Sequence, residues 1–390
     1  MSWALLHAAV EHQRGGRLAE AQKLYERVLR SEPKNADALH LLGLVLIERG
    51  TTERGFQLLR RAVAYAPRSV EALNNLAVEL ARAGRVEEAL GWFEKALALA
   101  PDRPGARPNY ASALSDRGIA LQAEGRTAEA LASFDAAVAT APEHADAHYN
   151  RGNTLHLLGR FAEAVAAFEC AISLRPGYLA ALHNRGISLH ALDRPGEALA
   201  SYDTALAAGS EDPALLVNRA AALLALGRMA EARACCEEAL AMRPDDPDAL
   251  FNLGNALRGS RRNEPALEAY DRALALRPEF PNARDNRGIT LLELGRYPEA
   301  AEVFAGLIAD HPAQPYVRGR LLHARLFTCD WRDTPALSRD VQDRIAAGER
   351  VEVPFMALAH VADAALQRRC AEIYVADKLR ISPGPAEPSG

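Results

Sequence analysis

The sequence predicts an all-α fold, a right-handed superhelical solenoid of antiparallel helix pairs, and three observations carry that prediction. Residues 145–178, ADAHYNRGNTLHLLGRFAEAVAAFECAISLRPGY, recur with substitutions from the N-terminus to Pro312. Each copy holds two apolar patterns of helical period separated by a turn. The copies close on Pro33, Pro67, Pro101, Pro142, Pro176, Pro244, Pro278 and Pro312. These lie 34 residues or a multiple of 34 apart, except for the step from 101 to 142, and Ser210 stands where one proline is missing.

Within the type copy, Ala147, Gly152, Leu155 and Leu158 stripe one face of a first helix, and Ala164, Phe168, Ala171 and Ile172 stripe a second. Gly159 supplies the left-handed residue that ends the first helix, and Pro176 cannot extend the second. A pair this short exposes most of its apolar stripe, so it needs neighbouring copies to cover it.

Nine copies follow in order over residues 2–312. The small position of the first helix reads Ala9, Gly43, Ala77, Gly118, Gly152, Gly186, Ala220, Gly254 and Gly288. The small position of the second reads Ala21, Gly55, Ala89, Ala130, Ala164, Ala198, Ala232, Ala266 and Ala300. Four residues on stand Tyr25, Leu59, Phe93, Phe134, Phe168, Tyr202, Cys236, Tyr270 and Phe304, which fill the space the small residues leave. The pattern resembles the tetratricopeptide repeat across these nine copies. In the fourth, seven residues are inserted near 104–110. Because Pro104 and Pro108 break helices, we expect a loop through Pro108 and a lengthened helix from Asn109.

After Pro312 the 34-residue period stops and helical patterning continues. Residues 316–328, 335–347 and 354–379 read as three helices of a connector or cap over 313–380. The last is apolar on one face through Phe355, Leu358, Ala362, Leu366 and Ile373. Residues 381–390, rich in proline and polar side chains, read as a disordered tail.

A formal charge of −5 with 25% charged residues gives no polybasic stripe, so nucleic acid and anionic membranes are not expected partners. No apolar run reaches membrane-spanning length and no secretion signal opens the chain, which points to a cytoplasmic protein. The five cysteines, Cys170, Cys235, Cys236, Cys329 and Cys370, form no CxxC pair and suit a reducing compartment. Cys235-Cys236 as a redox pair is set against Cys236 simply holding the large position of its copy. His156 and His190 are 34 residues apart, but two imidazoles without a third ligand make a poor zinc site, so groove or surface histidines are the plainer reading. HExxH, GxxxxGK[ST], GxSxG and a strand-borne GxGxxG are all absent. We therefore expect no cofactor and no catalysis by this chain.

Asparagines form a ladder. Asn75, Asn150, Asn184, Asn218, Asn252 and Asn286 stand two residues before the small position of the first helix, with Asp116 at that place in the fourth copy. Asn109, 34 residues after Asn75, joins the candidate set. Asparagine costs roughly 0.5 kcal/mol against alanine within a helix, so its recurrence calls for a use. A side-chain amide pairs with the N–H and C=O of an extended peptide without reading its side chains. Asn153 and Asn255 lie one turn further along. The alternative is an asparagine that braces neighbouring helices, and both readings stay open. The arginines that follow the ladder, Arg117, Arg151, Arg185, Arg219 and Arg287, either meet acidic clients or pair with acidic residues of adjacent helices.

Leu321-Leu322-His323-Ala324-Arg325, Cys329-Asp330-Trp331 and Pro354-Phe355 resemble the connector that follows the repeats in bacterial proteins similar to the O-linked N-acetylglucosamine transferase. That resemblance implies repeats that select protein substrates through an asparagine ladder, ahead of a catalytic half with no counterpart in this sequence. Two functions follow as expectations. One is a protein–protein interaction scaffold holding extended polypeptide segments on an asparagine-lined concave surface. The other is the recognition half of such a glycosyltransferase, working with a catalytic partner.

Overall fold

The computed structural model describes residues 2–328, 331 and 333–378, and these are helical throughout apart from turns and short connections. They fall into two compact units, Met1–Asp193 and Arg194–Gly390.

In the first unit, five helix pairs stack in sequence order: α1 (Ser2–Arg14) with α2 (Leu18–Ser31), α3 (Ala36–Glu48) with α4 (Thr52–Tyr65), α5 (Val70–Arg82) with α6 (Val86–Leu99), α7 (Ala106–Ala123) with α8 (Thr127–Thr140), and α9 (Ala145–Leu157) with α10 (Phe161–Leu174). The unit ends with α11 (Leu179–Ala191). The second unit opens with α12 (Pro195–Ala207). Three pairs follow: α13 (Pro213–Ala225) with α14 (Met229–Met242), α15 (Pro247–Gly259) with α16 (Asn263–Leu276), and α17 (Pro281–Glu293) with α18 (Tyr297–Asp310). Four more helices complete the described chain: α19 (Val317–Phe327), α20 (Thr334–Ala346), α21 (Pro354–His360) and α22 (Ala364–Lys378).

Local chemistry starts and stops these helices. The side chains of Asn35, Ser69, Asp212 and Asp246 accept backbone N–H groups at the beginnings of α3, α5, α13 and α15, which leaves fewer orphan donors. Gly159, with φ at 73°, turns the chain between α9 and α10. The small and large positions meet as their alternation requires. A Cβ added to Gly152 would lie 2.6 Å from Phe168 Cε1, and one on Gly254 would lie 2.5 Å from Tyr270 Cε1. Both rings are fully buried. The aromatic ring takes the volume the glycine vacates, so neither position tolerates the other's residue. Cys236, in the large position of its pair, is buried in the same way.

The structure departs from the sequence reading in two places. In the fourth pair the added residues belong to the helix from Ala106 onward, so the connecting loop is shorter than expected and α7 has 18 residues where α9 has 13. Pro108 is the third residue of α7. The first-turn N–H groups have no acceptor inside the helix, so a proline there sacrifices nothing. The segment 354–379 is two helices rather than one. Val361 is extended, and the Asp363 carboxylate accepts the Ala365 N–H at 2.7 Å to start α22. Ala357 is the buried residue of α21 and Val361 just beyond it is buried too, while Phe355 and Leu358 are 84% and 63% exposed. The expected tail, 381–390, lies outside the described residues, as do Cys329 and Asp330 of the connector motif.

Candidate functional site

The first helices of six copies carry the ladder, and each asparagine sits two residues before a glycine or alanine that faces the second helix. That places the amide at the edge of the buried stripe, next to the preceding first helix. In the first unit Asn184 Nδ2 donates to Asn153 Oδ1 at 2.8 Å and to Tyr149 Oη at 3.3 Å, both on α9. Asn75 Nδ2 lies 3.1 Å from His40 Nε2 on α3. Burial holds the His40 imidazole below its ordinary range against the opposing pull of Glu71 and Asp37.

The second unit repeats the arrangement. Asn252 Nδ2 donates to the Val217 carbonyl at 3.2 Å, and Asn286 Nδ2 donates to Asn255 Oδ1 at 2.7 Å. Asn255 Oδ1 also accepts from Tyr270 Oη at 2.8 Å, and burial pushes the Tyr270 phenol up to about 12. Asn218 occupies the ladder place of α13 and is half-buried. Asn109 occupies a different place. It stands in the first turn of α7, seven residues ahead of Asp116, and its Nδ2 is 3.5 Å from Asn74 Oδ1.

The bracing shares a direction. Asn75, Asn184 and Asn252 each reach back to the residue 35 positions earlier, on the preceding first helix. In Asn184, Asn252 and Asn286 the donor end of the amide is engaged, while Oδ1 receives no donor among the described residues. An amide held through its NH₂ is fixed in its plane, and its carbonyl oxygen is free to accept.

A cleft of about 230 Å³ opens between α9 and α11 beside these groups, lined by Asn153, His156, Leu157, Asn184 and Ile187. Leu157 is 70% exposed in it. His156 Nδ1 lies 2.9 Å from Ser188 Oγ, and partial burial lowers the imidazole pKa. Its neighbour is therefore a hydroxyl, and among the described residues no group of three or more histidine, cysteine or acidic side chains is placed to hold a metal ion. Leu157 and Ile187 escaped the sequence reading because apolar residues within a helical period look like core. Only their place outside the buried stripe marks them.

The arginine row pairs inside the scaffold. Arg151 meets Asp135, Arg185 meets Glu169, Arg219 meets Asp203 and Arg287 meets Asp271, each with the acidic residue 16 positions earlier on the preceding second helix. Arg219 also donates to Cys235 Sγ at 2.7 Å. Burial nevertheless raises the Cys235 thiol, and it pushes Cys236 up to about 12, so neither is poised as a thiolate. No helix among the described residues is long and apolar enough to cross a membrane.

Models described as tetratricopeptide repeat match residues 68–143 and 211–279, 115–178 and 251–315, and 179–204. Residues 15–96 match a model described as anaphase-promoting complex, cyclosome, subunit 3. The search of curated proteins returns no match. Among solved structures, the chain is similar to YrrB, described as a TPR protein with an unusual peptide-binding site. The identity is 24% over 49% of this chain and 95% of that one, with a TM-score of 0.42. It is similar to pilF of Pseudomonas aeruginosa at 19% identity over 51% and 90%, TM-score 0.46. A tetratricopeptide repeat protein of Parabacteroides merdae matches at 18% over 66% and 98%, TM-score 0.45.

Proposed function

From the premise that the chain is a tetratricopeptide-repeat protein, we propose that it is a protein–protein interaction scaffold whose ladder asparagines hold extended polypeptide segments. The supporting observation is the half-used amide. In Asn184, Asn252 and Asn286 the NH₂ end braces the preceding helix, and Oδ1 has no donor among the described residues. Bracing and binding are then two ends of one group. The brace removes the rotamer freedom that a lone surface asparagine would lose on binding, and the carbonyl takes a main-chain N–H of the client. The cleft beside Asn184, walled by Leu157 and Ile187, takes one apolar side chain of the same segment.

Replacing Asn184, Asn218 and Asn252 by Ala is the test. Binding of extended synthetic peptides, read by fluorescence anisotropy, should fall at least tenfold while far-ultraviolet circular dichroism keeps its helical signal. Unchanged binding overturns the reading. The substitutions at Asn184 and Asn252 also remove a brace, so thermal stability should drop by about 1 kcal/mol at each of these two sites.

The connector resemblance supports a second reading, in which the repeats present substrates to a glycosyltransferase. Mixing the purified chain with UDP-N-acetylglucosamine and peptide tests its catalytic side. We expect no transfer by this chain alone, and transfer would overturn that expectation.

A further inference from the structure

One rung of the ladder differs from the rest. Asn150 on α9 stands where its counterparts reach back 35 residues, and the residue 35 positions before it is Ser115 on α7. That bond is missing. Ser115 is 5% exposed, and its Oγ is buried without a hydrogen-bond partner. Neither Asn150 nor Asp116, the residue after Ser115, has a side-chain partner among the described residues. Asp116 also breaks the chemistry of the row, since it puts a carboxylate where every other occupied rung has an amide.

The cations near Asp116 are engaged elsewhere. Arg117 directs Nε to Ser133 Oγ at 3.0 Å, and its Nη1 lies 4.0 Å from Glu87. His144 accepts the Ala147 N–H on Nδ1 at 3.1 Å, so Nε2 holds the ring proton and donates it to Ser112 Oγ at 3.0 Å. Burial raises the Asp116 carboxyl, and the charge of His144 opposes that rise. One turn further along α7, Ile119 is 50% exposed.

We infer that Ser115, Asp116 and Asn150 form a subsite for a basic side chain, lysine or arginine, of the bound polypeptide, with Ile119 covering the aliphatic stem. This rests on the peptide-binding reading and assigns it a register. A carboxylate, a hydroxyl and an amide carbonyl are three acceptors, whereas lysine and arginine side chains carry only donors. The client brings a cation to a carboxylate that makes no ion pair among the described residues. An orphaned, buried hydroxyl is costly in a native structure, and a ligand donor removes the cost. The stem of either side chain packs on an exposed isoleucine while its charged head stays at the carboxylate.

The experiment uses the full chain and four fluorescein-labelled dodecapeptides of alternating serine and threonine, each with one central lysine, arginine, glutamine or glutamate. Anisotropy should show the lysine and arginine peptides binding about tenfold tighter than the glutamine peptide, and the glutamate peptide weakest. In Asp116→Asn the lysine-to-glutamine ratio should fall from about ten to about one, and in the parent the ratio should shrink as salt rises. A lysine preference that survives Asp116→Asn overturns the subsite. Equal binding of all four peptides, lost on the triple asparagine replacement, overturns the subsite and leaves the ladder standing. Failure of every peptide to bind overturns both.

Discussion

Within the second unit, the helix pairs from α13 to α18 and the four helices after them bury similar side chains by different means. In the pairs one contact recurs: a small residue of the first helix receives a ring or aliphatic group of the second, as Gly254 receives Tyr270 and Gly288 receives Phe304. The later helices have no recurring contact and are tied by single ones. Tyr316, in the left-handed conformation at φ 64°, donates its N–H to the Arg350 carbonyl at 2.7 Å, and Gly319 donates to the Val351 carbonyl at 2.9 Å. The Glu352 carboxylate is buried against Gly319, where a Cβ would collide with it, and accepts from His360 Nε2 at 2.8 Å. At the end, the Asp377 carboxylate accepts from Tyr316 Oη and Arg350 Nη1, each at 2.7 Å. A recurring contact makes each pair a copy of its neighbour, whereas single contacts make each later helix depend on one partner.

The largest test of that difference is at the junction of the two regions. Phe304 is fully buried in the last pair and shares a core with Val317, Leu321 and Ala324 of α19. Phe304→Ala should cost about 3–5 kcal/mol in urea unfolding and should loosen α19–α22 as well, seen as faster amide exchange there. Adding Gly288→Leu refills the space, because the glycine exists only to admit the ring, and the double variant should recover part of the loss. If α19–α22 keep their exchange protection in Phe304→Ala, they stand independently of the pairs.

A smaller effect runs through pH. Arg350 and Tyr316 hold the Asp377 carboxyl down to about 2. A carboxyl depressed in the folded state adds stability above its unfolded value, near 4, and that stability fades as pH falls towards 2. The group lies close to solvent, so we expect about 1 kcal/mol, confined to α22. Between pH 5 and pH 2.5 exchange in α22 should accelerate more than exchange in α17 and α18, and Asp377→Asn should remove the difference. Equal acceleration in both regions breaks the comparison.

The same contrast sets what could be read from sequence. The recurring contact was legible because Gly152 and Phe168 keep their spacing in copy after copy, so a pattern of size and period carries the packing. The ladder was legible for the same reason, as a position, but its use was not: which end of the Asn184 amide is engaged depends on Tyr149 and Asn153, one helix back. The start of α7 at Ala106 is hidden in the sequence because Pro108 reads as a helix breaker, although it falls in the first turn, where its missing N–H has no role. The break at Val361 is hidden because the apolar period continues across it, and only Asp363 marks the new start. Nothing in the pattern separates Phe355, exposed, from Ala357, buried.

The smallest prediction concerns the turn between α15 and α16. Gly227 and Gly295 hold this place in the pairs on either side, with φ at 74° and 72°, and Arg261 holds it here at 59°. A left-handed residue with a Cβ costs roughly 1–2 kcal/mol, and glycine gives some of that back through its freer unfolded chain. Arg261→Gly should therefore raise stability by about 1 kcal/mol. In the first unit, Asp193 holds the same place at φ 60°, and Asp193→Gly should gain less, since a short polar side chain tolerates this conformation better than arginine does. Chemical denaturation of both variants checks the order. A gain at Arg261 means that even the recurring part of the chain is held below its best stability at one turn. A loss there means that the arginine stabilises the turn by more than its backbone costs, and that the turn, like the later helices, depends on a contact of its own.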